Sequence, residues 1–84
     1  MPSRKPKPKI KHAEIVRRFA ARLRELRSTR GMTQAELARL SRVTPSYLWR
    51  LESGAVSPGI DLVDRLATSL GTTIHDLLPT ASTD

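Results

Sequence analysis

Residues 32–54 read MTQAELARLSRVTPSYLWRLESG. Thr33 followed by Glu36 is the pattern of a capping box, so a helix is expected to begin at Gln34 and to run to about Leu40. Thr44 followed by Pro45 is a second start signal. The hydroxyl can satisfy a free helix amide, and the proline ring already holds the φ of a first turn. This second helix is expected over Pro45 to Ser53, stopped by Gly54. Only Ser41 to Val43 separate the two, which is the spacing of a helix-turn-helix.

The second helix has two unlike sides. At ~100° per residue, Leu48 and Leu51 fall together, and Ser46, Trp49, Arg50 and Ser53 fall opposite them. The leucines should hold the helix to the body and leave the other side in solvent. About nine residues at 1.5 Å each make a rod of roughly 13 Å, close to the ~12 Å width of the DNA major groove. Glu52 lies on the inner side, where a lone carboxylate is costly. Arg27, on the apolar side of the preceding helix, has the opposite need, so an Arg27–Glu52 ion pair is expected.

Outward from this stretch, a long helix is expected from about His12 to Arg30. Ile15, Phe19, Leu23 and Leu26 form its apolar stripe, with Val16 and Ala20 at the edge. Arg17, Arg18 and Arg24 fall on the far side, toward solvent, and Gly31 ends the helix in the left-handed conformation. In the second helix Leu37 and Ala38 face inward. On the C-terminal side, Ile60 to Leu70 should form a fourth helix with Ile60, Val63, Leu66, Ala67 and Leu70 inside, stopped by Gly71. Thr73 with Asp76 should cap a short fifth helix, Ile74 to Leu78, ended by Pro79.

The chain has 84 residues, enough for one domain with a small core. Its net charge of +7 is unevenly placed: residues 1–32 carry +9 and residues 33–84 carry −2. A basic end on a nearly neutral body suits a polyanionic partner. Residues 1–11, with prolines alternating among five cations, read as a disordered basic arm able to follow phosphates or enter a minor groove. Residues 12–79 are expected to be the domain and 80–84 a frayed tail. There are no cysteines, so disulfides and thiolate metal sites are excluded. No apolar run approaches the ~20 residues of a membrane span, and the N-terminus lacks a signal-peptide core. A cytoplasmic protein, associated with the nucleoid when bound to DNA, is the expectation.

No catalytic constellation is present in the sequence. His12 and His75 stand alone, the serines have no neighbouring base, and there is no glycine-rich phosphate loop, carboxylate pair or metal-ligand spacing. The expectation is therefore a binding protein with no cofactor, no metal and no enzymatic activity.

The pieces TQAELA (33–38), LWRLESG (48–54), VDRLATSLG (63–71) and DLL (76–78) together resemble the Cro/phage-repressor class of helix-turn-helix proteins, also called the xenobiotic-response-element family. The similarity runs from about Phe19 to Leu78. It implies an all-α, five-helix, lambda-repressor-like DNA-binding domain. Carried over position by position, Pro45, Ser46 and Arg50 are the base-reading residues. Arg50 can bond guanine O6 and N7 together, whereas Pro45 offers only an apolar contact. Gln34, Thr44, Tyr47, Ser53 and Arg42 are the candidate phosphate contacts. The resemblance also pairs Arg27 with Glu52, places the loop Ala55 to Pro58 against the DNA backbone with its Ala55 and Val56 amides available, and puts a dimer contact near the fifth helix. At Arg42 the family usually has glycine, so a strained turn is expected there; at Ser41 it prefers alanine.

The function expected is that of a sequence-specific transcriptional regulator of double-stranded DNA, a repressor, acting as a homodimer. The alternative is an antitoxin that binds a toxin and represses its own operon. A third reading is an interaction module that has lost DNA binding, to which Pro45 and Trp49 on the reading face lend some weight. Trp49 could lie along a neighbouring helix, pack on the sugar-phosphate backbone or meet a protein.

Overall fold

The computed structural model describes residues 12–78; the basic arm 1–11, Pro79 as the end of the fifth helix, and the tail 80–84 lie outside the described residues. Five helices follow one another: α1 (His12–Thr29), α2 (Gln34–Ser41), α3 (Pro45–Glu52), α4 (Ile60–Ser69) and α5 (Ile74–Leu77). No strand occurs among the described residues. The α2–α3 pair packs on α4 through α2 and on α1 through α3, and α5 closes the body against α1 and α4. Leu23, Leu37, Leu48, Leu51, Leu66, Leu70 and Leu77 are all fully buried at the centre. Each contributes about 1.5–3 kcal/mol of burial.

The capping signals act as expected in the central pair. The Thr33 hydroxyl accepts from the Glu36 amide (3.0 Å), and the Glu36 carboxylate accepts from the Thr33 amide (2.8 Å). Thr44 accepts from the Tyr47 amide (3.0 Å), with Pro45 in the first turn.

The first four helices end alike. After α3, the Gly54 N–H donates to Leu51 C=O (3.2 Å) and the Ala55 N–H to Arg50 C=O (2.9 Å). The same two bonds close α1 at Gly31, α2 at Arg42 and α4 at Gly71. This Schellman closure needs a left-handed residue at its first position. Arg42 is the one non-glycine there, at φ 62°, ψ 41°. The turn expected to be strained is thus kept in full, with an arginine in a conformation that disfavours a β-carbon. Arg42→Gly is therefore expected to stabilise the protein by about 1 kcal/mol. Thermal denaturation checks this; an unchanged or lower Tm would show that arginine's side chain repays the strain.

Four expectations need correction. Ile15 is 41 % exposed, because the apolar stripe of α1 outruns the body and the core begins at Phe19. In α4, Ile60 is 66 % exposed while Leu62 is buried. The stripe there is centred among Leu62, Val63, Leu66, Ala67 and Leu70, which leaves Ile60 about 90° off its centre, at the helix's first residue. Ser41 belongs to α2, is fully buried, and donates its hydroxyl to Ser69 of α4 (2.9 Å). Finally, the Thr73 hydroxyl does not cap α5. It and its neighbour Thr72 both donate to the Asp76 carboxylate.

The Thr72 hydroxyl bond is the largest cause holding the Asp76 carboxyl below its ordinary 3.8, opposed by desolvation and aided by Thr73 and Arg22. A pKa lowered by folding gives stability that is present above 3.8 and lost as pH falls through the folded value. An NMR titration of Asp76 should show a midpoint below 3.8, moving upward in Thr72→Ala; a midpoint unmoved by that substitution would refute the assignment.

Candidate nucleic-acid interface

Amphipathic spacing on α3 sets one face into the core and the other into solvent. Leu48 and Leu51 have no exposed surface. Pro45, Ser46, Trp49, Arg50 and Ser53 are all exposed, Trp49 at 59 %. The Arg50 guanidinium makes no hydrogen bond or ion pair among the described residues. The Ser53 hydroxyl donates back to Arg50 C=O (3.0 Å). Tyr47 is half-buried and packs against the core cluster. Thr44 and Arg42 are exposed at the turn before α3.

Behind this face lies a buried charge cluster. Arg27 donates from Nε to Glu52 Oε2 (2.6 Å) and from Nη2 to Oε1 (3.0 Å), the bidentate fork that suits a carboxylate. Its Nη1 donates to Met32 C=O (2.9 Å). Glu52 is only 2 % exposed. The expected pair therefore forms, and it joins α1, α3 and the α1–α2 turn. Gln34 adds a third bond, its side-chain amide donating to Glu52 Oε1 (2.9 Å). Among the described residues no buried polar side-chain atom is left without a partner, so the desolvation of the carboxylate is offset by hydrogen bonds.

Two residues make contacts the sequence did not suggest. Arg24 is exposed, as expected for the far side of α1, and also donates to the main-chain carbonyl of Glu52. A cation on the last turn of α3 is favoured by the helix dipole. A signal for it existed: Arg24 sits three residues before Arg27, hence beside it on α1. Gln34 is half-buried and turned toward Glu52, so its amide orients the cluster even before any phosphate is considered. Arg18 does pair at the surface, with Glu14 (2.9 Å). The Ala55 amide, expected to be available to a phosphate, is spent on closing α3.

Trp49, Arg24, Gln34 and Ser53 border an open cleft of about 310 Å³ beside α3. The indole is thus not covered by a neighbouring helix. His75 is exposed, and among the described residues no group of His, Asp or Glu is placed to hold a metal. No helix among them is long and apolar enough to cross a membrane.

A short helix held by its inner leucines and a buried ion pair, with polar and basic side chains outside and a second helix across its start, defines a helix-turn-helix domain. The chain belongs to that family: the helix-turn-helix domain model matches residues 18–79. It is 38 % identical over 61 residues to the HTH-type transcriptional regulator DdrOP3 of Deinococcus deserti, covering 73 % of this chain and 47 % of that one. The chain thus spans about half the length of this curated relative. Its fold is similar to that of the restriction-modification controller protein C.AhdI from Aeromonas hydrophila, with TM-score 0.77 and 34 % identity, over 80 % of this chain and 97 % of the other. It is also similar to the hydroxypropylphosphonic acid epoxidase from S. wedmorenis, with TM-score 0.76 and 32 % identity, over 83 % of this chain but only 37 % of that one.

Proposed function

We propose that this protein is a sequence-specific DNA-binding transcriptional regulator, a repressor, that inserts α3 into the major groove. The observation that carries this reading is the division of α3. Its inner side is locked by Leu48, Leu51 and the Arg27–Glu52 pair, and its outer side presents Arg50, without a partner among the described residues, beside Ser46. Arg50 reads a guanine, Ser46 an adjacent base or phosphate, and Pro45 makes an apolar contact. Phosphates on either side are met from Thr44, Arg42, Tyr47, Ser53 and the start of α2 at Gln34. Trp49, too exposed for a packing role alone, lies where it can rest on a sugar.

Binding as a homodimer follows from size, since one helix of this length reads only a few base pairs and a twofold pair reads two half-sites. The domain is taken as residues 12–79, with the basic segment 1–11 adding phosphate contacts and 80–84 as a tail. The protein acts without cofactor or catalysis, on DNA in the cytoplasm. Its likeness to the epoxidase supports a shared module, since the match spans the smaller part of that chain.

The test is a mobility-shift titration at several salt concentrations. The logarithm of the affinity should fall linearly with the logarithm of salt, with a slope of about −0.9 per phosphate neutralised. A complex insensitive to salt, or no complex on any duplex, would contradict the proposal.

A further inference from the structure

The last carbonyls of a helix have no partner within it and must find one outside. In α3 these belong to Trp49, Arg50, Leu51 and Glu52. The Ser53 N–H donates to Trp49 C=O (3.0 Å), the Ala55 N–H to Arg50 C=O (2.9 Å) and the Gly54 N–H to Leu51 C=O (3.2 Å). No main-chain N–H among the described residues reaches Glu52 C=O. It accepts instead from Nη1 of Arg24 on α1.

Helix α1 therefore grips one residue of α3 twice, from positions one turn apart. Arg27 holds the Glu52 carboxylate, and Arg24 holds the Glu52 main chain. The two grips fix different things. A carboxylate hangs from the backbone on rotatable bonds, so holding it sets how close α3 lies to α1. A carbonyl is rigid in its peptide plane, so holding it sets how far α3 is turned about its own axis. Among the described residues, Arg24 is the one side chain of α1 that bonds the main chain of α3.

From this arrangement we infer that Arg24 is a positioning residue for sequence reading: it sets the rotation of α3 and so aims Arg50 at its base pair. The inference rests on the DNA-binding reading above. Side-chain tips stand roughly 5–6 Å from a helix axis, so a turn of about 10° swings them by about 1 Å. A two-pronged contact to a base edge must be held to within about 0.5 Å and 10–20°. Attraction to phosphates is less directional, so the charge neutralised, and with it the salt dependence, stays the same.

The experiment measures binding to a duplex selected from a random pool and to a scrambled duplex of equal length, at several salt concentrations. It compares the parent, Arg24→Met, Arg24→Lys, Arg50→Ala and the double variant Arg24→Met with Arg50→Ala. Methionine keeps a long stem and the helix propensity but donates nothing. Thermal melts confirm that each variant is folded at the assay temperature. Arg24→Met should lower the preference for the selected duplex by about fivefold, with the salt slope unchanged. Arg24→Lys, which keeps a cationic donor, should recover part of that loss. In the double variant the preference should fall no further than in Arg50→Ala, because Arg24 acts through Arg50. Losses that multiply in the double variant would overturn the inference. So would a parental preference in Arg24→Met, or Arg24→Lys no better than Arg24→Met. Equal weakening on both duplexes, with a slope reduced by about 1, would also overturn it by making Arg24 a phosphate ligand. A parent that binds neither duplex would instead bring down the DNA-binding reading, and the inference with it.

Discussion

Glu52→Gln is expected to destabilise the protein by about 3 kcal/mol, the lower end of the cost of breaking a buried ion pair. The change is nearly isosteric, so the effect isolates charge. Arg27 would keep one bond, to Met32, but its fork would face an amide in place of a carboxylate. Gln34 would lose the anionic acceptor that fixes it. The lower end applies because Arg27 retains 18 % exposure and can draw partial solvation, whereas Glu52 has 2 %. In a domain of this size each kcal/mol moves Tm by about 4–8 °C, so a fall of more than ten degrees should be visible by calorimetry or circular dichroism. Since the cluster ties α3 to α1, DNA affinity should drop with it. A Glu52→Gln protein that melts like the parent would mean that the pair orients nothing.

Arg50→Ala should do the converse. The side chain is exposed and has no partner among the described residues, so the melting temperature should move little. Binding to the preferred duplex should weaken by roughly 1–3 kcal/mol, which is the value of a bidentate guanine contact. The loss should be confined to discrimination at one base pair in each half-site. Mobility shifts on duplexes carrying each of the four base pairs at that position measure this. Equal weakening on all four would recast Arg50 as a phosphate contact.

Most of the fold was legible because its signals are local. The capping box at Thr33, the Thr44–Pro45 start and the glycines at positions 31, 54 and 71 mark helix ends within a few residues of themselves. The leucine spacing on α3 gave both of its faces, and the unmatched charges of Arg27 and Glu52 gave their pairing. Ile60 was a misread phase within α4, whose stripe is centred among Leu62, Val63, Leu66, Ala67 and Leu70. Other misreadings depend on what lies across space. Ile15 has the right character for a core but lies beyond the body that begins at Phe19. Ser41 reads as a small turn residue until Ser69 is brought opposite its hydroxyl. Arg24 is a surface residue as read and Gln34 is half-buried, but only the crossing of α1, α2 and α3 reveals that both bond Glu52.

The most direct test of the reading helix is methylation interference at guanine N7, which lies in the major groove, on duplexes recovered by selection from a random pool. Recovered sites should hold two inverted half-sites with centres about 34 Å apart, and premethylating one guanine in each should abolish binding by the parent protein. Binding that persists with every guanine N7 methylated would contradict Arg50's role in the major groove.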